Sequence, residues 1–211
     1  SLNSFNLQDI YIIMKLGILG HPIEHTLSPK IFKILAQEFS KDISYDIVSV
    51  LPEEFNFNLL KSKYDGLNVT YPYKEKILDY IENYNMLVSR TKSANTITLK
   101  DPPQAYNTDV EGFDASLDYH GIETKDLTVL ICGGGGAARS VIQVLCHNGV
   151  KKIQLKLRDH FKFENAAKHF QVLYPDIEVC LFDENTEFDM VINATTLGLK
   201  PTENPNEADL F

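Results

Sequence analysis

Residues 127–138 read LTVLICGGGGAA, and this stretch constrains the fold more tightly than any other. Leu127–Cys132 is a short, nearly continuous apolar run, the pattern of a strand buried on both faces of a parallel sheet. Gly133, Gly135 and Ala138 then fall on the spacing G-x-G-x-x-G/A. In that spacing the first glycine makes a tight turn, the second lets the backbone approach a pyrophosphate, and the third small residue lets a helix pack closely on the sheet. A helix is expected from Ala137 to about His147, with Gly149 as its stop and a strand over Lys152–Leu157, which completes a βαβ unit. The helix N-terminus offers free N–H groups and partial positive charge to phosphates. A glycine run by itself also suits a flexible turn. The strand before it and the helix after it favour nucleotide binding, with Gly133, Gly134, Gly135, Gly136 and Ala137 as the contacts.

Working outward, Asp189–Ala194 reads as another buried strand, with Thr195-Thr196-Leu197-Gly198 as the loop beyond its carboxyl end. Upstream, short apolar runs alternate with helical patterns, the signature of an α/β chain. Lys15–Leu19 is a strand, and Ser28-Pro29 reads as an N-cap and first helical residue ahead of Ile31, Ile34, Leu35 and Phe39. Ser44–Val50 is the next strand, followed by a helix around Glu53–Ser62 and a strand at Gly66–Val69. A helix after Pro72 carries Ile77, Leu78 and Ile81 on one side. Asn95–Leu99 and Gln104–Asn107 flank Asp101-Pro102-Pro103 as a hairpin, and Val110–Tyr119 is helical before His120-Gly121. The boundary between two domains is expected within the connection 110–125.

The 211 residues, 44% of them hydrophobic, suffice for one large or two small domains with real cores. A formal charge of −9 supplies no broad positive field, which argues against nucleic acid or an anionic membrane as partner. Cys132, Cys146 and Cys180 lack C-x-x-C or His-cluster spacing and fit reduced thiols of a cytoplasmic protein; no metal site is indicated. No apolar run approaches the roughly 18 residues of a membrane span, and the N-terminus lacks the layout of a signal peptide. Residues 1–13 read as an extension ahead of Met14.

Polar clusters in the first half carry the chemistry, because a nucleotide fold names no reaction. Thr26 and Ser28 straddle a helix start, where two hydroxyls can share an anion or polyol with the helix dipole, or Ser28 can simply cap. Asn68 and Thr70 alternate at the end of a strand, offering an amide and a hydroxyl, and Lys74 enters from the next helix. Asn107-Thr108-Asp109 lies at another strand-to-helix switch, where Asp109 reads equally as N-cap and as catalytic acid. Asn95 has the same ambiguity. For the cofactor, Arg158 and Asp159 at the end of the second strand argue in opposite directions: an acid accepts from the ribose hydroxyls of NAD, whereas arginine holds the 2′-phosphate of NADP. A carboxylate about 4 Å from a phosphate charge costs on the order of 4 kcal/mol at an effective dielectric of 20. Lys162, four residues after Arg158, adds a second cation if a helix follows, and otherwise the three form a solvated cluster.

The runs GILGHPIEHTLSP, GLNVTYPYKE, SANTI, YNTDVEGF, GGGGAARS and INATTLG, in that order, resemble the shikimate dehydrogenase family and its quinate-oxidising relatives from about Lys15 to Lys200. The resemblance implies an N-terminal α/β substrate domain and a Rossmann-type dinucleotide-binding domain, with the active site in the cleft between them. On this sequence it implies residues 14–110 for the substrate domain, 111–125 for a connection and 126–211 for the cofactor domain, the last lacking its C-terminal part. Lys74 and Asp109 then match the catalytic pair, Thr26 and Ser28 the carboxylate site, and Asn68, Thr70 and Asn95 contacts to ring hydroxyls. The glycine loop, Arg158, Asp159, Lys162 and Thr195 match the dinucleotide site. The implied reaction is reduction of 3-dehydroshikimate to shikimate with NADPH, in a monomer or homodimer.

Two departures bear on specificity. Thr26 stands where serine is usual, and Leu157-Arg158-Asp159 replaces the common Asn-Arg-Thr, which leaves quinate as substrate and NAD as cofactor in play. A non-catalytic nucleotide-binding module is the reading from another class. A dehydrogenase acting on a one-carbon folate shares the architecture but does not explain Thr26, Ser28 and Asn107-Thr108-Asp109 together.

Overall fold

The computed structural model describes residues 13–157 and 160–198, with side chains for all of these but 160–165. In chain order the elements are β1 (Met14–Gly20), α1 (Ser28–Glu38), β2 (Ile43–Ser49), α2 (Phe57–Lys63), β3 (Gly66–Val69), α3 (Tyr73–Lys76), β4 (Asn83–Tyr84), α4 (Met86–Thr91), β5 (Thr96–Thr98), β6 (Gln104–Tyr106), α5 (Asp109–His120), β7 (Thr128–Cys132), α6 (Gly136–His147), β8 (Lys152–Lys156), α7 (His160–Leu173), β9 (Glu178–Leu181) and β10 (Met190–Asn193). They form two compact units. One comprises the described residues up to Asn83 with Thr96–Gln104, the other Tyr84–Asn95 with the described residues from Ala105 onward. Among the described residues no helix is long and apolar enough to cross a membrane.

The first unit is built on strands in the order β2-β1-β3-β5. β1 pairs in parallel with β2 and β3, and β3 pairs antiparallel with β5. Leu19, Leu67, Val69 and Ile97 are buried there, the alternate apolar positions that make these segments strands. Three local expectations are corrected. Ser28 is the first residue of α1 because Leu27 already takes helical dihedrals and becomes the N-cap, where its apolar side chain can make no cap bond. The helix expected over Glu53–Ser62 is split into a 3₁₀ turn at Pro52–Glu54 and α2. Between them Phe55 is extended and its ring stacks on Tyr73, while Asn56 caps α2 by accepting from the Leu59 N–H at 3.0 Å. The helix after Pro72 is only the four residues of α3 followed by a 3₁₀ turn, although Ile77 and Ile81 are buried as their spacing implies.

The second unit carries a four-stranded, all-parallel sheet in the order β10-β7-β8-β9. Val129 and Ile131 of β7 and Ile153 and Leu155 of β8 pack with Ala138, Val141, Ile142 and Leu145 of α6 and with Phe170 of α7. The helical residues recur at intervals of three and four, the period that turns one face of α6 to the sheet. Leu130 and Cys132 face the other side, against Phe182, Phe188 and Leu197, so β7 is covered on both faces as its unbroken apolar run requires. Residues 84–95 and 105–125 belong to this unit, so the boundary between compact units falls earlier than position 110. The cause is packing: Leu87 of α4 and Val110, Phe113 and Leu117 of α5 gather around Val144 of α6.

Burial also sets an alkaline limit. Burial pushes the Cys146 thiol from 9.0 up to about 12 and the Tyr45 hydroxyl from 10.0 up to about 12. Both folded pKa values are raised, so the stability these groups contribute is intact below their unfolded values and is lost as pH rises toward about 12. Urea midpoints measured at increasing pH are therefore expected to fall from about pH 9 upward, and a Cys146→Ala chain to show a shallower decline.

Candidate active site

In the first unit the polar residues meet at the carboxyl ends of β1 and β3, where open α/β sheets place their ligands. The Thr26 hydroxyl donates to Ser28 Oγ at 3.1 Å, and the Ser28 N–H donates to Thr26 Oγ1 at 3.3 Å. The two expected hydroxyls are thus paired at the start of α1. Tyr45 on β2 donates to Asn68 Oδ1 at 2.7 Å, and Asn68 Nδ2 lies 3.4 Å from Thr96 Oγ1. Thr70 follows β3, its N–H bonded to the Leu19 carbonyl at 2.8 Å and its carbonyl accepting from the Tyr73 N–H at 2.8 Å. A Cβ on Gly20 would collide with Thr70 Cγ2, so glycine there lets Thr70 close over the end of β1.

Lys74 is half-buried on α3, a helix too short to be stable alone. Its neighbour Tyr73 anchors it. That ring is fully buried, stacks on Phe55 with centroids 5.0 Å apart, and donates its hydroxyl to the Val50 carbonyl at 2.5 Å. The position of the Lys74 backbone therefore follows from core packing.

In the second unit Asn95, Thr108 and Asp109 come together. Asn95 Oδ1 accepts from the Thr108 N–H at 2.9 Å, which turns Nδ2 toward Asp109 Oδ1 at 2.7 Å and Thr108 Oγ1 at 2.9 Å. Thr108 is the N-cap of α5 and Asp109 its first residue, so the reading of Asp109 as an N-cap is corrected. A carboxylate in the first turn is stabilised by the positive helix end. Asn107, 1% exposed, places its Nδ2 2.9, 3.0 and 3.0 Å from Thr91 Oγ1, the Ser93 carbonyl and Ser140 Oγ, sharing its two hydrogens among them, and its Oδ1 accepts from the Asp109 N–H at 3.1 Å. It ties the end of α4 to α6 and fixes the turn that presents Asp109.

The glycine loop connects β7 to α6. Gly133 has φ +112°, and a Cβ on it would lie 2.7 Å from the Ala194 carbonyl oxygen, so the turn admits only glycine. A Cβ on Gly135 would meet nothing within 4 Å. Gly135 is the N-cap of α6 and its carbonyl accepts the bond from the Arg139 N–H, so the N–H groups of Gly136, Ala137 and Ala138 precede that bond and sit at the positive helix end. Open space over a glycine beside such a helix end fits a dinucleotide pyrophosphate. Beyond β10, Asn193 Oδ1 accepts from the Thr195 N–H at 3.0 Å and its hydroxyl at 2.7 Å, while Asn193 Nδ2 donates to the Leu197 carbonyl at 3.0 Å. Thr195 is thereby held next to the glycine turn, since its backbone nitrogen lies 3.2 Å from the Cβ position of Gly133. Arg158 and Asp159 lie outside the described residues, as does the side chain of Lys162, whose backbone falls within α7.

Sequence reasoning missed Tyr45, Asn193 and the internal role of Asn107. Tyr45 sits in an ordinary strand pattern, and its partners emerge only from strand register. Asn193 precedes the loop that carries Thr195, and a short polar side chain ahead of a turn is a signal for such backbone bonds.

A family model described as the shikimate dehydrogenase substrate binding domain matches residues 18–97. The shikimate dehydrogenase (NADP(+)) of Pelagibacter ubique is 34% identical over 194 residues, covering 90% of this chain and 71% of that relative. Among solved structures, shikimate dehydrogenase from Aquifex aeolicus aligns with a TM-score of 0.78 at 29% identity, over 91% of this chain and 72% of that one. The Thermus thermophilus enzyme, solved in complex with NADP(H) and shikimate, aligns with a TM-score of 0.76 at 26% identity, over 92% and 73%. With ordered motifs, two α/β units and these likenesses in agreement, the chain belongs to the shikimate dehydrogenase family.

Proposed function

We propose that this chain catalyses the reversible reduction of 3-dehydroshikimate to shikimate with NADPH, a step toward chorismate and the aromatic amino acids. The observation that carries the reading is Asp109, a carboxylate at a helix start whose direction is set by Asn95 at 2.7 Å. Segment 14–110 holds the substrate and catalytic groups, 111–125 connects, and 126–211 holds the dinucleotide; the last part of the first segment packs with the second compact unit and delivers Asp109. Thr26 and Ser28 donate to the substrate carboxylate, and Asn68, Thr70 and Asn95 hydrogen-bond its ring hydroxyls. Gly133, Gly134, Gly135, Gly136 and Ala137 receive the pyrophosphate, Arg158 and Lys162 the 2′-phosphate, with Asp159 at the ribose and Thr195 beside the loop.

When bound, NADPH supplies a hydride to the substrate carbonyl carbon. Lys74 gives a proton and a positive charge to the oxygen on which negative charge develops. Asp109 is the anionic member of the pair and accepts a hydrogen bond at the reacting group. Reduced thiols at Cys132 and Cys146 fit a cytoplasmic protein, working as a monomer or homodimer. Initial rates with shikimate and quinate, each against NADP and NAD, test the assignment. The highest kcat/KM is expected for shikimate with NADP; a higher value for quinate with NAD contradicts it.

A further inference from the structure

Among the polar side chains of the first unit, Tyr45 joins two groups that the reaction treats separately. The register aligns Tyr45 with Leu16 and Asn68 with Ile18, so both project from the same sheet face on either side of β1. The Tyr45 ring lies flat on Phe32 of α1, with centroids 4.2 Å apart and planes 21° from parallel, which leaves little freedom in where its hydroxyl points. That hydroxyl is 2.7 Å from Asn68 Oδ1. Burial raises its pKa to about 12, opposed by a hydrogen bond from the Ser28 side chain, so it remains a protonated donor at working pH.

An asparagine amide can present either its oxygen or its nitrogen, and the two choices suit opposite partners. Here Tyr45 occupies the oxygen. Asn68 Nδ2 then donates one hydrogen to Thr96 Oγ1 at a long 3.4 Å and keeps a second for another acceptor. The Ser28 hydroxyl, itself paired with Thr26, lowers the pKa of the same Tyr45 hydroxyl in opposition to its burial. One rigid phenol thus sets the polarity of Asn68 and ties it to the hydroxyl pair at the start of α1.

We propose that Tyr45 is a positioning residue that makes Asn68 an obligate hydrogen-bond donor to a substrate hydroxyl oxygen and holds it in step with Thr26 and Ser28. This rests on the reading of Asn68, Thr26 and Ser28 as substrate contacts. Tyr45→Phe keeps the ring and its stack on Phe32 and removes only the hydroxyl, leaving Asn68 able to turn its oxygen toward the substrate.

The test is a double-mutant cycle on the full chain, with KM for shikimate and kcat measured for the wild type, Tyr45→Phe, Asn68→Ala and the double variant. Tyr45→Phe is expected to raise KM about 5- to 10-fold, the effect of one net hydrogen bond, with kcat within about twofold and KM for NADP unchanged. In the Asn68→Ala background the same change is expected to raise KM by less than about twofold, because its effect passes through Asn68. A purely structural role would lower the thermal midpoint and weaken both ligands alike, with equal factors in the two backgrounds. Such equal factors, or a Tyr45→Phe KM unchanged from wild type, overturn the proposal. Lack of shikimate turnover by the wild type overturns the proposed function and this role with it, whereas wild-type turnover with an indifferent Tyr45→Phe overturns only the role of Tyr45.

Discussion

Replacing Lys74 by alanine is expected to lower kcat for shikimate oxidation by on the order of 10²-fold or more, with a smaller change in KM. α3 is held in place by Tyr73, whose fully buried ring and bond to the Val50 carbonyl do not involve the lysine side chain, so the helix survives the substitution. What is lost is the ammonium, the group that can pass a proton to and from the reacting oxygen and stabilise its charge. An interaction used mainly in the transition state appears in kcat, whereas one used equally in binding appears in KM. Steady-state rates together with a thermal melt check this: an unchanged melt with a collapsed kcat is the expected pair. Near wild-type turnover would remove Lys74 from the role.

The second large effect is expected at the glycine turn. Gly133→Val should raise the Kd for NADP by on the order of 10-fold or more, because two penalties fall on one residue. Its φ of +112° is closed to a β-branched side chain, and the first added carbon would already stand 2.7 Å from the Ala194 carbonyl oxygen. Relief requires the turn to move, and with it the start of α6 and the loop that holds Thr195. Gly135→Ala is the informative contrast. Its Cβ enters open space, so the melting temperature should hardly change, while NADP binding weakens because the methyl occupies the volume a pyrophosphate needs. Calorimetric titration with NADP measures both. Equal affinity in the wild type and both variants would place the pyrophosphate elsewhere.

These two sites differ in how far the sequence reveals them. β7, the glycine loop and α6 are legible because burial on both sheet faces demands an unbroken apolar run, and a helix of 12 residues is long enough to display its period. α4 is not legible, since its six residues span less than two turns and establish no periodicity. Its membership in the second unit depends on Leu87 packing against the cluster of Val110, Leu117 and Val144, residues distant in sequence. The broken helix at Phe55 went unseen because the aromatic stack with Tyr73 overrides local helical preference.

Among polar residues the limits are of another kind. Asn107 and Asn95 look alike in sequence, each an asparagine at the end of a short strand, Asn95 just before β5 and Asn107 just after β6. Only folding shows that Asn107 is a buried member of a satisfied network and that Asn95 turns its amide toward Asp109. Tyr45 gains its partners through register across β1. The motif order, by contrast, pointed to the family from residues alone, and the relatives named shikimate dehydrogenase (NADP(+)) agree with it.

The most direct test of the central claim is a stoichiometric one: NADPH consumption by this chain in the presence of 3-dehydroshikimate, followed by near-ultraviolet absorbance, with shikimate quantified by chromatography in the same samples. Shikimate formed and NADPH lost are expected to be equimolar. NADPH that binds to the chain but persists, with no shikimate appearing, would contradict it and leave a nucleotide-binding module.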